Sequence, residues 1–159
     1  KSLSLAGIIL ASILLAGSVV SAYVILGPVS FILDDGTREN NIGLSAGGQL
    51  VWFNRITPAA GELPLQVESV DIVFPNSTTV GDNIDIVFHA DPDGDGNPAT
   101  GSVFLGAHSA TVQNTDGATF VTYTIDPPVI YSQLFGDILV GVVNRSGVAG
   151  YADFPVSID

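Results

Sequence analysis

In Phe120-Val121-Thr122-Tyr123-Thr124-Ile125 the apolar residues Val121, Tyr123 and Ile125 alternate with threonine. That spacing turns one face of an extended chain into a core and leaves the other in water, which is the signature of a half-buried β-strand. Val67-Glu68-Ser69-Val70-Asp71-Ile72 sets acids among apolar residues in a similar way. Working outward, short apolar runs bounded by Gly, Asn, Asp and Pro place strands at 29–33, 48–53, 65–74, 84–90, 102–105, 119–125, 138–143 and 151–158. Strands this short and this closely spaced predict a β-sandwich. After Pro28 no amphipathic stretch of about ten residues occurs, so a βαβ architecture lacks its helices. A linker is expected between Asp34 and Gly48, where Asp34-Asp35-Gly36-Thr37-Arg38-Glu39-Asn40-Asn41 is polar and turn-prone.

Length and composition agree. The 159 residues suit one globular unit. Hydrophobic residues make up 47%, and the mean hydropathy of +0.48 is too high for a disordered tail. The net charge of −12 repels a phosphate backbone, which argues against nucleic-acid partners. With no Cys there is neither a disulfide nor a thiolate metal site.

The charge is unevenly placed. Residues 2–33 carry none, and all 16 acids lie beyond them. Within that stretch, residues 3–26 are apolar and would span roughly 36 Å as a helix, enough to cross a bilayer core. Gly27-Pro28 then ends the run. Small residues recur at four-residue spacing in Gly7/Ala11, Ser12/Ala16, Gly17/Ser21 and Ser18/Ala22, which lets helix backbones approach closely. The chain opens on Lys1 rather than Met, and the segment is expected to be retained after removal of a leader. Two other readings stand beside it: a secretory signal, residues 1–22, cut before Tyr23, and an ordinary membrane anchor.

This layout, an uncharged stretch from Ser2 to Leu26 followed by a Gly/Thr/Val-rich β region, resembles the type IV pilin-like subunits, in particular the archaeal type with an immunoglobulin-like head. Leu5 stands where bacterial type IV pilins usually carry Glu, and Lys1 where they usually carry Phe or Met. The resemblance implies that a prepilin peptidase removes a short basic leader, that the apolar helix waits in the membrane, and that it then enters a filament core. The expected fold is therefore an N-terminal apolar α-helix, residues 1–27, followed by an all-β, immunoglobulin-like sandwich head, residues 28–159. The expected function is that of a structural subunit of an extracellular, adhesive filament. Its partners would be copies of itself and, before assembly, a membrane, with no nucleic acid and no small-molecule substrate. Gly7, Ala11, Ser12, Ala16, Gly17 and Ser21 would form the polymerisation contacts. A donor-strand fibre, with residues 19–26 completing a neighbour's sheet, is the alternative polymer. A secreted calcium- or carbohydrate-binding sandwich is the alternative monomer.

Asp91-Pro92-Asp93-Gly94-Asp95-Gly96-Asn97 is the sharpest local motif. Acids at alternate positions, with glycine making the bend, gather oxygen ligands for a hard cation such as calcium, and the expected ligands are Asp91, Asp93, Asp95 and Asn97. The motif resembles the front half of an EF-hand-type or dockerin-type loop. Pro92 stiffens its second position, and Ser102 stands where the twelfth-position Glu would be. The other reading is a solvated turn. Asn76-Ser77-Thr78 and Asn144-Arg145-Ser146 are glycosylation sequons expected in exposed loops. His89 and His108 lie in separate segments with no motif linking them. A Walker loop and a Gly-x-Gly-x-x-Gly fingerprint are absent, and no enzymatic activity is expected. Arg38, Arg55 and Arg145 read as ion-pair partners, and Trp52 and Phe53 as strand residues of the core rather than a sugar platform.

Overall fold

The computed structural model describes residues 30–33, 40–42, 49–59, 61–132, 136–145 and 156–158. Eight antiparallel strands build it: β1 (Asn40–Ile42), β2 (Val51–Ile56), β3 (Leu65–Ile72), β4 (Asn83–Asp91), β5 (Val103–Thr111), β6 (Val121–Tyr131), β7 (Asp137–Asn144) and β8 (Val156–Ile158). One sheet has the order β2-β7-β4-β5, β3 pairs with β6, and β1 pairs with β8.

The core lies between the four-stranded sheet and the β3–β6 ribbon. From the sheet come Ile84, Ile86, Phe88 and Ala90 of β4 with Ile138 and Val142 of β7, and from the ribbon Ile72, Tyr123, Ile125 and Tyr131. The alternation read in the sequence is what divides these strands into two faces. On β3 it needs a correction of phase. Leu65 and Val67 pack against the core, and so do Val70 and Ile72, an interval of three between Val67 and Val70. A register shift between Val67 and Ser69 absorbs the odd residue. The same irregularity accommodates Pro127 and Pro128 of β6, which fall between the paired residues Thr124 and Val129 and have no N–H to give to a ladder.

The expected fold class of an apolar helix plus an immunoglobulin-like sandwich is corrected here. The described residues are all-β and contain no helix, and none among them is long and apolar enough to cross a membrane. The expected helix, residues 1–27, lies outside the described residues. The strand order also departs from an immunoglobulin domain, where the last strand would lie beside the strand corresponding to β7. Here β2, which precedes the whole sandwich in the chain, takes that edge, in register from Val51↔Val143 to Ile56↔Ile138. One contact holding β2 there is local: Phe53 lies across Gly141, its direct partner, and a Cβ at Gly141 would stand only 2.5 Å from the ring. Residues 30–33, expected as a strand, join none, and the expected linker contains β1.

Candidate functional site

The end of the sheet where β4 leaves and β7 enters carries the concentrated charge. Asp91, the last residue of β4, stands opposite Asp137, the first of β7. Between Asp91 and β5 the chain turns through Pro92–Ser102, with positive φ at Gly94 (69°), Gly96 (74°) and Gly101 (70°), conformations that glycine adopts without steric cost. The turn folds back so that one carboxylate oxygen each of Asp91, Asp93 and Asp95 lies within 4.8 Å of the others. Gly101 makes this closure possible, since a Cβ there would overlap the Asp93 carboxylate.

The donors around these acids are unequally shared. Asp91 is wholly buried; its Oδ2 accepts from the Gly96 N–H at 2.8 Å, and its Oδ1 has no donor among the described residues. Asp95 accepts from the Asn97 N–H at 2.7 Å and from the Thr100 hydroxyl at 2.9 Å. Among the described residues Asp93 accepts only a long bond, 3.4 Å, from the Asp95 N–H. Asn97, the fourth expected ligand, points its Oδ1 at the Ala99 N–H, 3.0 Å away. Ser102 donates to the Pro98 carbonyl at 2.7 Å and lies 3.1 Å from His89 Nδ1.

Arg55 on β2 braces this loop. Its Nε donates to Asp137 Oδ2 at 2.5 Å, and its Nη2 donates to the Gly94 carbonyl at 2.6 Å. The guanidinium therefore ties the edge strand to the start of β7 and to the loop bend. It ion-pairs with Asp137, and among the described residues no arginine forms an ion pair with the three loop acids. Sequence reading gave Arg55 only as an ion-pair partner and did not single out Asp137. No local signal marks either for this site, because they lie 82 positions apart and meet only through the β2–β7 pairing.

Arg145 pairs instead with Asp85, its Nε donating to Oδ2 at 2.7 Å. Asp85 also accepts from Ser109, at 2.7 Å, and the two partners hold its carboxyl below the usual range, Ser109 contributing more. Histidine chemistry does not assemble. His89 lines a cleft of about 440 Å³ with Phe53, Pro98 and Arg145, whereas His108 lines another, of about 460 Å³, between β5 and β6. His89 stands edge-on to Phe53 and to Phe104, at 5.4 and 5.3 Å between ring centres, and burial lowers its pKa. Trp52, on the other face of β2, packs edge-on to Phe74 at 6.4 Å.

Asn76 sits in an exposed turn after β3. Asn144 ends β7 with 1% of its surface exposed, whereas Arg145, the next residue of the sequon, is exposed. Gly7, Ala11, Ser12, Ala16, Gly17 and Ser21 lie outside the described residues. Compared with family models, with curated proteins and with solved structures, the chain has no match.

Proposed function

We propose that the chain is a structural, non-enzymatic subunit of an extracellular type IV pilus-like filament. It assembles through its apolar leading segment, residues 3–26, and displays the acidic β head on the outside for adhesion or surface attachment. The observation that carries this reading is the division of the chain: residues 2–33 hold no charge, and all 16 acids follow. An uncharged segment of this length removes its side chains from water either in a bilayer before assembly or against copies of itself afterwards. Small residues at four-residue spacing favour the second environment, where close backbone approach gains dispersion contacts. The head supports the reading by its surface. Both described guanidinium groups, Arg55 and Arg145, are engaged in ion pairs within it, so the acids dominate what faces outward and like-charged heads stay apart.

Shearing the cell surface, imaging the released material by negative stain and sequencing the subunit's N-terminal peptide tests the proposal. Fibres whose subunit begins at Lys1 are the expected result. A soluble, monomeric protein beginning at Tyr23 would overturn it. Gly17→Leu, which puts a bulky side chain where close approach is required, is expected to suppress fibres while leaving the far-ultraviolet dichroism of the β head unchanged.

A further inference from the structure

We propose that Asp91, Asp93 and Asp95 bind a hard divalent cation, calcium, and that the ion locks the loop after β4 onto the start of β7. The proposal is independent of the filament reading, because a secreted monomer with the same head would hold the same ion.

Acids on a turn are common and make no site by themselves. The observation that makes one here is Asp91, a carboxylate with no exposed surface and with one oxygen, Oδ1, that no protein group among the described residues donates to. Removing a carboxylate from water costs several kcal/mol unless a partner replaces the lost hydration. The nearby cation, Arg55, does not serve that need, for its guanidinium is bonded to Asp137 and to the Gly94 carbonyl. The groups that do converge with Asp91 are two further carboxylates, within 4.8 Å, and they add negative charge. A divalent cation resolves both difficulties at once, ligating the orphan oxygen and offsetting the mutual repulsion.

The chemistry of the donor set selects the ion. All three groups are carboxylates, so hard cations are favoured over the softer metals that take nitrogen and sulfur. Asp93 and Asp95 sit on an exposed glycine-rich bend open to water. Such an open arc, completed by solvent, suits the irregular six- to eight-fold shell of calcium better than the strict octahedron of magnesium. Asn97 and Ser102 are engaged elsewhere, so the protein supplies few ligands, and the affinity belongs to the weak extracellular range, with Kd of about 0.1–1 mM.

The test uses the full chain in detergent, with calcium chloride or magnesium chloride as probe at constant ionic strength. Calcium at about 10 mM is expected to raise Tm by roughly 4–8 °C, and magnesium by less than a quarter of that. Asp93→Asn combined with Asp95→Asn alters only exposed side chains, leaves folding intact, and is expected to abolish the calcium response. Glu68→Gln, an exposed acid on β3, is expected to keep it. A flat Tm up to 10 mM calcium, an equal response to magnesium, or a response that survives the Asp93/Asp95 double substitution would each overturn the proposal. Fibres with no calcium response would remove the site alone, and a calcium-responsive monomer beginning at Tyr23 would remove the filament reading alone.

Discussion

Two acidic turns of this head can be set side by side, the one after β4 and the one between β5 and β6. In the second, Asp116 accepts from the Ala118 N–H at 2.8 Å and from the Thr119 N–H at 2.7 Å with one oxygen. The other takes the Thr119 hydroxyl at 2.6 Å and the Asn114 side-chain amide at 3.1 Å. These donors, the Thr119 hydroxyl first, hold its carboxyl far below the usual range. Asp116 is an acid used as a turn-builder, with every lone pair spoken for by its own loop. The β4 turn has three acids, a shortage of donors and a buried orphan oxygen at Asp91. The comparison teaches that an acidic loop is read by counting donors against carboxylate oxygens. Asp116 is satisfied within its own loop, whereas Asp91 keeps a buried oxygen that no described group donates to, and the calcium proposal starts from that difference.

Predictions can break or sharpen this contrast. The largest effect is expected at Arg55→Leu, which leaves Asp137 unpaired beside Asp91 while keeping much of the arginine stem's bulk. Its side chain is 44% exposed, so the loss falls below the figure for a fully buried pair, at about 1.5–3 kcal/mol by urea denaturation without calcium. Calcium should restore part of that loss. If Arg55→Leu is as stable as the parent, the charge accounting at this end of the sheet is wrong.

Next in size is Gly101→Ala, which strains a φ of 70° and drives a methyl group into the Asp93 carboxylate. It is expected to cost about 1–3 kcal/mol and to weaken the calcium response. Gly117→Ala, at a φ of 73° in the Asp116 turn, should cost about 1 kcal/mol and leave that response untouched.

The smallest effects are in pH. The folded pKa values of Asp116 and Asp85 are both depressed, so each contributes stability that is present above the ordinary carboxylate value near 3.8. That contribution is lost as pH falls through the lower folded value. Asp116→Asn should therefore flatten the acid limb of a Tm-against-pH curve below about pH 4, with no change near neutrality in calcium binding. A parallel acid limb in parent and variant would show that the Asp116 donors do not discriminate between folded and unfolded chains.

Much of the fold was legible because apolar alternation is a local property. Strands β3, β4 and β6 fall where Val, Ile, Tyr and Phe largely alternate with polar residues, β7 is a continuous apolar run over residues 138–143, and together they supply the core. The sequence misled where pairing overrides propensity. Strand β5 runs through Gly106, Ala107, His108, Ser109 and Ala110, residues with little inherent preference for strands, because β4 offers them a complete ladder. Strand β6 continues beyond Pro127 and Pro128 because the irregularity opposite Glu68 takes up the residues without donors. The loop acids were legible from their spacing. Asp137, the engaged state of Asn97 and the burial of Asn144 were not, since each depends on what lies across the sheet.

Sequence alone determined the β character of the head, the separation of an uncharged leading stretch from an acidic remainder, and the alternate acids at Asp91, Asp93 and Asp95. These are properties of neighbours along the chain, where side-chain period and charge follow directly from residue order. Only the tertiary structure decided that β2 closes the β7 edge, that Arg55 is committed to Asp137 and the Gly94 carbonyl, and that Asp91 is buried with an oxygen left over. Burial and donor supply are set by groups 39 and 82 positions distant in the chain, which packing brings within hydrogen-bond reach.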